Sequence, residues 1–460
     1  MSYLPRLASF TLLTSAWLGA APAIPKGQVL AQVACVADQS QTYALYIPTT
    51  FDPAKKSPVL FCFDPGARGR NPVERFKEAA EKFGWIVAGS NNSRNGPWDA
   101  NAAAIKAMVG DVTRHLPVDG KRIYVAGLSG GARVACTVAA SGMAQGVIAC
   151  SAGFGGSETP ARVPFAFFGT AGVTDFNYRE LRRVDRELAD RKATHRVVIF
   201  DGGHEWLPST LAIEALGWLE LHAMRTGARA KDAAWIAAQF AARTAVVPEQ
   251  PAVETWRALR SLAADFKGLA DTAPIEQRAK ELAARRDVRD ALKAEEKAEA
   301  REEDTVVSLL SAADDGRVAA LKKTVADLQA KAQGADATER QRATRILQGV
   351  ASSCGEMARE ATRAGEHERA AGLLELSAML RPDRARTLVE LARARAQTGE
   401  RKAALEALER AVAAGYRDAE ALAQDKAFDR IRREPGFAVA LEKMKAAGAV
   451  SSPDSRRPGR

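Results

Sequence analysis

Arg122-Ile123-Tyr124-Val125-Ala126-Gly127-Leu128-Ser129-Gly130-Gly131, with the alanine-rich run that follows to Ala140, decides the fold. A run of β character enters a G-x-S-x-G pentapeptide, and helix formers come straight after it. In that context the pattern predicts a sharp strand-to-helix turn that strains Ser129 and exposes its hydroxyl. Gly127 and Gly131 flank the turn, where a side chain would strike neighbouring backbone. Ser129 is therefore a candidate nucleophile; a purely structural turn is the competing reading.

Working outward, short apolar runs alternate with helical ones from 42 to 227. Strands are expected over 43–47, 59–63, 85–90, 123–126, 147–151, 165–169 and 197–200. Helices are expected over 72–83, 100–116, 132–141, 178–192 and 208–224. Alternation of this kind, with nearly continuous apolar strands, predicts an α/β fold: a mostly parallel sheet covered by helices on both faces. Sites in such sheets lie at the carboxyl ends of the strands, and each candidate residue follows a strand.

A serine hydroxyl needs a histidine to take its proton and a carboxylate to fix that histidine's tautomer. The chain has 5 histidines. His115 and His222 fall within helical segments, His195 opens a strand, and His367 lies in the C-terminal half. His204 alone sits in a glycine loop, Asp201-Gly202-Gly203-His204-Glu205-Trp206, after the last strand, where a base belongs. Asp175, after the 165–169 strand, is the expected acid. It also suits an N-cap for the helix that follows. Asp201 is the runner-up, being too close in sequence to reach the imidazole from behind. The oxyanion requires two backbone N–H donors: Gly130, next to the nucleophile, and either Gly66 or Ala67 in Asp64-Pro65-Gly66-Ala67-Arg68-Gly69.

The order Ser129, Asp175, His204, together with the elbow and the glycine loop, resembles an α/β-hydrolase. Tyr43-Ala44-Leu45-Tyr46-Ile47-Pro48 and the lid-free outline are similar to feruloyl-esterase, polyhydroxybutyrate-depolymerase-like and dienelactone-hydrolase enzymes. The resemblance spans 41–227 and implies ester hydrolysis through an acyl-serine. Those enzymes usually carry a His-Gly pair where this chain has Asp64-Pro65-Gly66. Trp98, Phe154, Phe176 and Trp206, all near strand ends, are candidates for an aromatic substrate wall.

The chain has 460 residues, 47% of them hydrophobic and 27% charged, with a net charge of +10. The basic residues are interleaved with acidic ones and lack the aromatic patterning of a nucleic-acid surface. Residues 1–23 read as an export signal: Arg6, an apolar run, then Ala21-Pro22-Ala23 as a small-x-small cleavage site. The expectation is a secreted or periplasmic protein without a stable membrane span. The 5 cysteines have no metal-like spacing, and three of them fall in expected core segments, so buried free thiols are favoured over a disulfide framework. No metal cluster or phosphate loop is present in the sequence, and no cofactor is implied.

The domain expected over 36–227 is followed by a helical connecting region over 228–350. Within it, 275–303 is dense in mixed charge and reads as a solvated helix laced with i,i+4 pairs. From 351 to 445 a repeat is visible: Gly365 and Gly399 stand 34 positions apart, and Ala370, Leu374 and Ser377 correspond to Ala404, Leu408 and Ala411. This resembles tetratricopeptide repeats, a means of docking a protein partner or a substrate. A basic tail, 446–460, is expected to be disordered. Because the strands and all three triad candidates end before Gly227, the N-terminal part is expected to form its site unaided. Two function classes follow: a serine esterase with docking repeats, or a non-catalytic scaffold in which an inactive hydrolase-like domain and the repeats bind a partner.

Overall fold

The computed structural model describes residues 25–155 and 159–450. The export signal, and all but the first residues of the expected tail, lie outside them. The N-terminal part comprises β1 (Val29–Ala34), β2 (Thr42–Tyr46), β3 (Ser57–Phe63), α1 (Arg70–Phe83), β4 (Ile86–Ser90), α2 (Trp98–His115), β5 (Val118–Leu128), α3 (Gly130–Ala140), β6 (Gly146–Cys150), β7 (Ala166–Gly172), α4 (Tyr178–Asp190), β8 (His195–Phe200) and α5 (Ser209–Thr226). The strands form one sheet in the order β1-β2-β4-β3-β5-β6-β7-β8. Pairing is antiparallel from β1 to β2 and from β2 to β4, and parallel throughout the rest. This is the mostly parallel, doubly covered sheet that the alternation predicts.

Alternate residues of each inner strand face opposite layers. Val59, Phe61 and Phe63 pack with Phe167 against α2, α3 and α4. Leu60, Cys62 and Phe168 pack against α1 and α5. Burying such a side chain contributes about 1.5–3 kcal/mol, so β3 and β7, buried along their whole length, anchor the sheet. All five cysteines are buried and unbridged, and burial pushes the Cys35 thiol up to about 11. Strand β1 precedes the expected start of the domain at 36. It is a half-exposed edge strand without a continuous apolar run, so its sequence carries no strong β signal.

The C-terminal part is helical: α6 (Ala233–Ala245), α7 (Ala252–Phe266), α8 (Ala273–Ala284), α9 (Arg286–Asp314), α10 (Lys322–Ala332), α11 (Ala337–Arg363), α12 (His367–Leu380), α13 (Ala385–Thr398), α14 (Arg401–Ala413), α15 (Ala419–Gln424) and α16 (Pro435–Val450). From α9 onward they share one core. Gly365 and Gly399 both take positive φ, 78° and 83°, just past α11 and α13. Ala370, Leu374, Ser377, Ala404, Leu408 and Ala411 are all buried.

Contacts cross the boundary near Gly227. Asp265 of α7 is buried and accepts from Trp218 Nε1 at 2.6 Å and from Arg196 at 2.8 Å, with Arg243 also paired to it. Leu221 and Met224 of α5 share a core with Ile236, Leu262 and Phe266. Helix α9 is not a solvated one. Glu299 pairs with Arg182 at 3.2 Å and with Arg186 at 2.7 Å, Glu303 pairs with Arg179, and Glu302 is 2% exposed. Glu299 and Glu303 are matched by arginines of α4, Glu295 also by Arg257 of α7 and Glu302 by Arg345 of α11, while Asp290 keeps an i,i+4 partner in Arg286. No helix among the described residues is long and apolar enough to cross a membrane.

Candidate active site

Strand β5 runs into α3 through Ser129, whose φ of 54° and ψ of −121° lie outside the regions open to most side chains. The two flanking glycines explain how the turn survives. A Cβ on Gly127 would stand 2.0 Å from the Gly131 carbonyl oxygen, and one on Gly131 would stand 2.0 Å from that of Phe63. The Ser129 N–H donates to the Cys150 carbonyl at 2.8 Å, tying the elbow to the end of β6. Ser129 lines a cleft of about 1350 Å³, whereas His204 lines a neighbouring one.

His204 and Asp175 come together. Imidazole Nδ1 lies 2.9 Å from Asp175 Oδ1, and that oxygen also accepts the Asn177 N–H at 2.8 Å. Asp175 is fully buried, whereas the His204 side chain is 22% exposed. An ionised carboxylate only accepts, so the pairing assigns the proton to Nδ1 and leaves Nε2 free as a base. The N-cap of α4 is Asn177 and not Asp175; Asp175 only starts the turn into the helix, with Tyr178 N–H bonded to its carbonyl at 2.9 Å. Asp201 is exposed and makes no contact with His204. The two loops are cross-tied: the Thr174 N–H and hydroxyl both donate to the Gly202 carbonyl, at 3.0 and 2.8 Å. Asn177 Nδ2 donates to the Ser151 carbonyl, and Ser151 Oγ donates to that of Glu205. Serine, acid and histidine loops therefore meet at one place. Ser129 Oγ and His204 share no hydrogen bond here; such bonds are commonly long in free enzymes and tighten with substrate.

Of the oxyanion donors expected from sequence, Gly130 N–H begins α3 beside the serine. Gly66 and Ala67 are already engaged. Gly66 N–H donates to Asp64 Oδ1 at 2.9 Å, and Ala67 N–H donates to the Asp64 carbonyl at 3.1 Å. The Asp64 carboxylate, fully buried, also accepts from Arg68 Nε at 2.8 Å and Trp206 Nε1 at 3.0 Å. The departure from the His-Gly pair thus has a structural consequence: the acid consumes a loop donor. Asn95 stands nearby. Its carboxamide packs on Gly130 so closely that a Cβ there would lie 1.8 Å from Oδ1, and it lines the cleft with Ser129. Its own N–H is pinned to the Pro65 carbonyl at 2.9 Å.

Of the four aromatics expected in a substrate wall, only Phe176 borders the cleft. It stacks on the His204 ring with centroids 4.0 Å apart. Phe154 is buried and stacks on Phe167 in the core. Trp206 stands edge-on to Phe76 and is bonded to Asp64, and with His204 it lines a second, separate cleft. Trp98 is exposed at the start of α2, outside the cleft lining. The opposite wall belongs to α9 and α11, where Val306, Arg345, Gly349, Ser352 and Ser353 face the cleft. Sequence reading missed these residues, because nothing in a helical tail marks which face meets a distant loop. Among the described residues no cluster of His, Cys, Asp and Glu is arranged to hold a metal.

Sheet order and coverage define an α/β-hydrolase fold, with serine, histidine and aspartate at the carboxyl ends of its strands. No family model matches the sequence, and no curated protein is significantly similar to it. Among solved structures, a ferulic acid esterase is 17% identical at a TM-score of 0.36, over 42% of this chain and 96% of its own. The S-formylglutathione hydrolase of Staphylococcus aureus is 12% identical at a TM-score of 0.34, over 44% and 99% respectively. Esterase 2 of Thermogutta terrifontis is 16% identical at 0.35, over 47% and 100%. No residue of this chain takes its role from these likenesses.

Proposed function

We propose that this protein is a serine hydrolase that cleaves carboxylic esters through an acyl-serine. The observation that carries this reading is the Asp175–His204 pair, held at 2.9 Å and cross-tied to the loop of a serine at φ 54°. In the first half-reaction, Ser129 Oγ attacks the ester carbonyl carbon while Nε2 of His204 takes its proton. The tetrahedral oxyanion collapses, the C–O bond to the alcohol breaks, and the imidazolium returns the proton to the leaving oxygen. Water then repeats the sequence on the acyl-serine and releases the acid. Asp175 stabilises the imidazolium throughout.

The helical repeats are read as a dock for a protein partner or for the substrate, and residues 1–23 as an export signal that places the protein in a secreted or periplasmic setting. The acid test of the chemistry is covalent. A fluorophosphonate should label the full chain once, with the adduct on the peptide containing Ser129, and heat-denatured protein should not react. Absence of labelling in folded protein, or labelling at another serine, refutes the assignment.

Because Gly66 and Ala67 have spent their N–H groups, the second oxyanion donor in this reading is the Nδ2 amide of Asn95, whose oxygen packs on Gly130. Losing one such donor typically costs about 10²–10³ in kcat. Asn95→Ala should therefore lower kcat on p-nitrophenyl acetate by that factor, with KM little changed. A variant with wild-type kcat would return the role to the 64–69 loop.

A further inference from the structure

We infer that Arg345 is a positioning residue for the Asp175–His204 pair, which makes the C-terminal helical region a working part of the site; this rests on the esterase reading above. Three contacts converge. The peptide group carbonyl of Val173, two residues before the acid, accepts Arg345 Nη1 at 2.6 Å, while the Val173 N–H is held by the Phe200 carbonyl of β8 at 2.8 Å. The remaining donors of Arg345, Nε and Nη2, grip Glu302 of α9 at 3.0 and 2.7 Å. Its guanidinium also lies over the Tyr178 ring, 4.3 Å from the centroid.

A planar fork fixed on two sides has little freedom left, so the Val173 carbonyl is clamped by a rigid group. Four residues on, and thus on the same face of α11, Gly349 packs against Phe176. A Cβ at Gly349 would stand 3.3 Å from that of Phe176, the ring that stacks on His204. One helix face therefore braces the acid loop on both sides of Asp175, at Val173 before it and at Phe176 after it. The Arg345 charge is matched by buried Glu302, so its effect on the pair is geometric. Misplacing a catalytic group by about 1 Å can cost 10²-fold in rate.

The test uses the full chain and p-nitrophenyl acetate. Arg345→Met is combined with Glu302→Gln so that one charge of each sign is removed; Glu302 also meets Arg179 and Arg342, at 3.7 and 3.9 Å, and Glu302→Gln alone is the control for those two pairs. The expected result is a kcat lower by about 10- to 100-fold at nearly unchanged KM. The downfield Nδ1–H proton resonance of His204 should weaken with it. Arg186→Gln, which breaks an ion pair of the same α4–α9 interface without touching the loop, should leave kcat, KM and the proton resonance unchanged.

Should the double variant fail to fold, Gly349→Ala supplies the same readouts by pressing a methyl onto Phe176. Wild-type kcat and proton resonance in either folded variant overturn the proposal. So does an equal loss in Arg186→Gln, which would make the effect one of the interface in general. If the wild-type chain is inactive toward the ester, the esterase reading fails by itself; the proton resonance then still reports whether Arg345 positions the pair.

Discussion

Ser129→Ala should lower kcat on p-nitrophenyl acetate by about 10⁶, to the level left by binding and oxyanion contacts alone. The size of the effect follows from the role. The hydroxyl oxygen is the atom that forms the acyl bond, and no neighbouring side chain can replace it. Cys150 ends the adjacent strand and Ser151 follows it, but Cys150 is fully buried and the Ser151 hydroxyl is committed to the Glu205 carbonyl. Alanine also suits the fold, since it removes one oxygen and keeps the Cβ that the elbow already accommodates. The melting temperature should therefore hold or rise slightly, because a strained, functional residue is seldom the most stable choice. The measurement is steady-state hydrolysis beside a thermal melt. Wild-type turnover no greater than that of the variant would favour the scaffold reading, in which the hydrolase-like domain only binds.

Asp175→Asn should cost on the order of 10⁴ in kcat, the loss seen when a triad acid becomes an amide. Two orientations are open to the new side chain, and both are harmful. With its oxygen kept toward the Asn177 N–H, the tautomer is preserved, but the charge that stabilises the imidazolium is gone and an NH₂ group replaces a buried oxygen. With its nitrogen there, it faces the Asn177 N–H donor and drives the imidazole to the wrong tautomer. Asp201→Asn should change kcat less than about threefold, since the exposed Asp201 makes no contact with His204. Both variants are compared at the same pH, with folding checked by circular dichroism. The reverse ranking would assign the acid to Asp201 and require the 201–206 loop to rearrange on binding substrate.

Whether the helical region is merely attached has a bearing on any shortened form. Ending the chain near Gly227 would strip Asp265 from Trp218 and Arg196, and Arg345 from Val173. The sequence reading that the N-terminal part forms its site unaided counted strands and triad candidates, all of which do precede Gly227. It could not count a carbonyl of the acid loop whose partner lies 172 residues further on.

The amino-acid sequence by itself determined what rests on short-range constraints. Gly127 and Gly131 are required because the elbow brings backbone to within a side chain's width, and that requirement is written in five consecutive residues. Apolar runs of strand length alternating with amphipathic helices set the parallel sheet. The position of Asp175 and His204, each just after a strand, followed from that register. Tertiary structure alone decided what depends on contacts between distant segments. Nothing near Trp206 in the sequence shows that its indole N–H holds Asp64, 142 positions away. Gly66 and Ala67 look like free donors until the Asp64 carboxylate and carbonyl are seen to hold them. Glu299 and Glu302 of α9 read as solvated because, within the helix, lysines stand near them; in the fold they meet arginines of α4 and α11 instead. A charge in a sequence shows only its neighbours along the chain, whereas its partner is chosen by which helix faces pack together, and that packing is set by the whole apolar core.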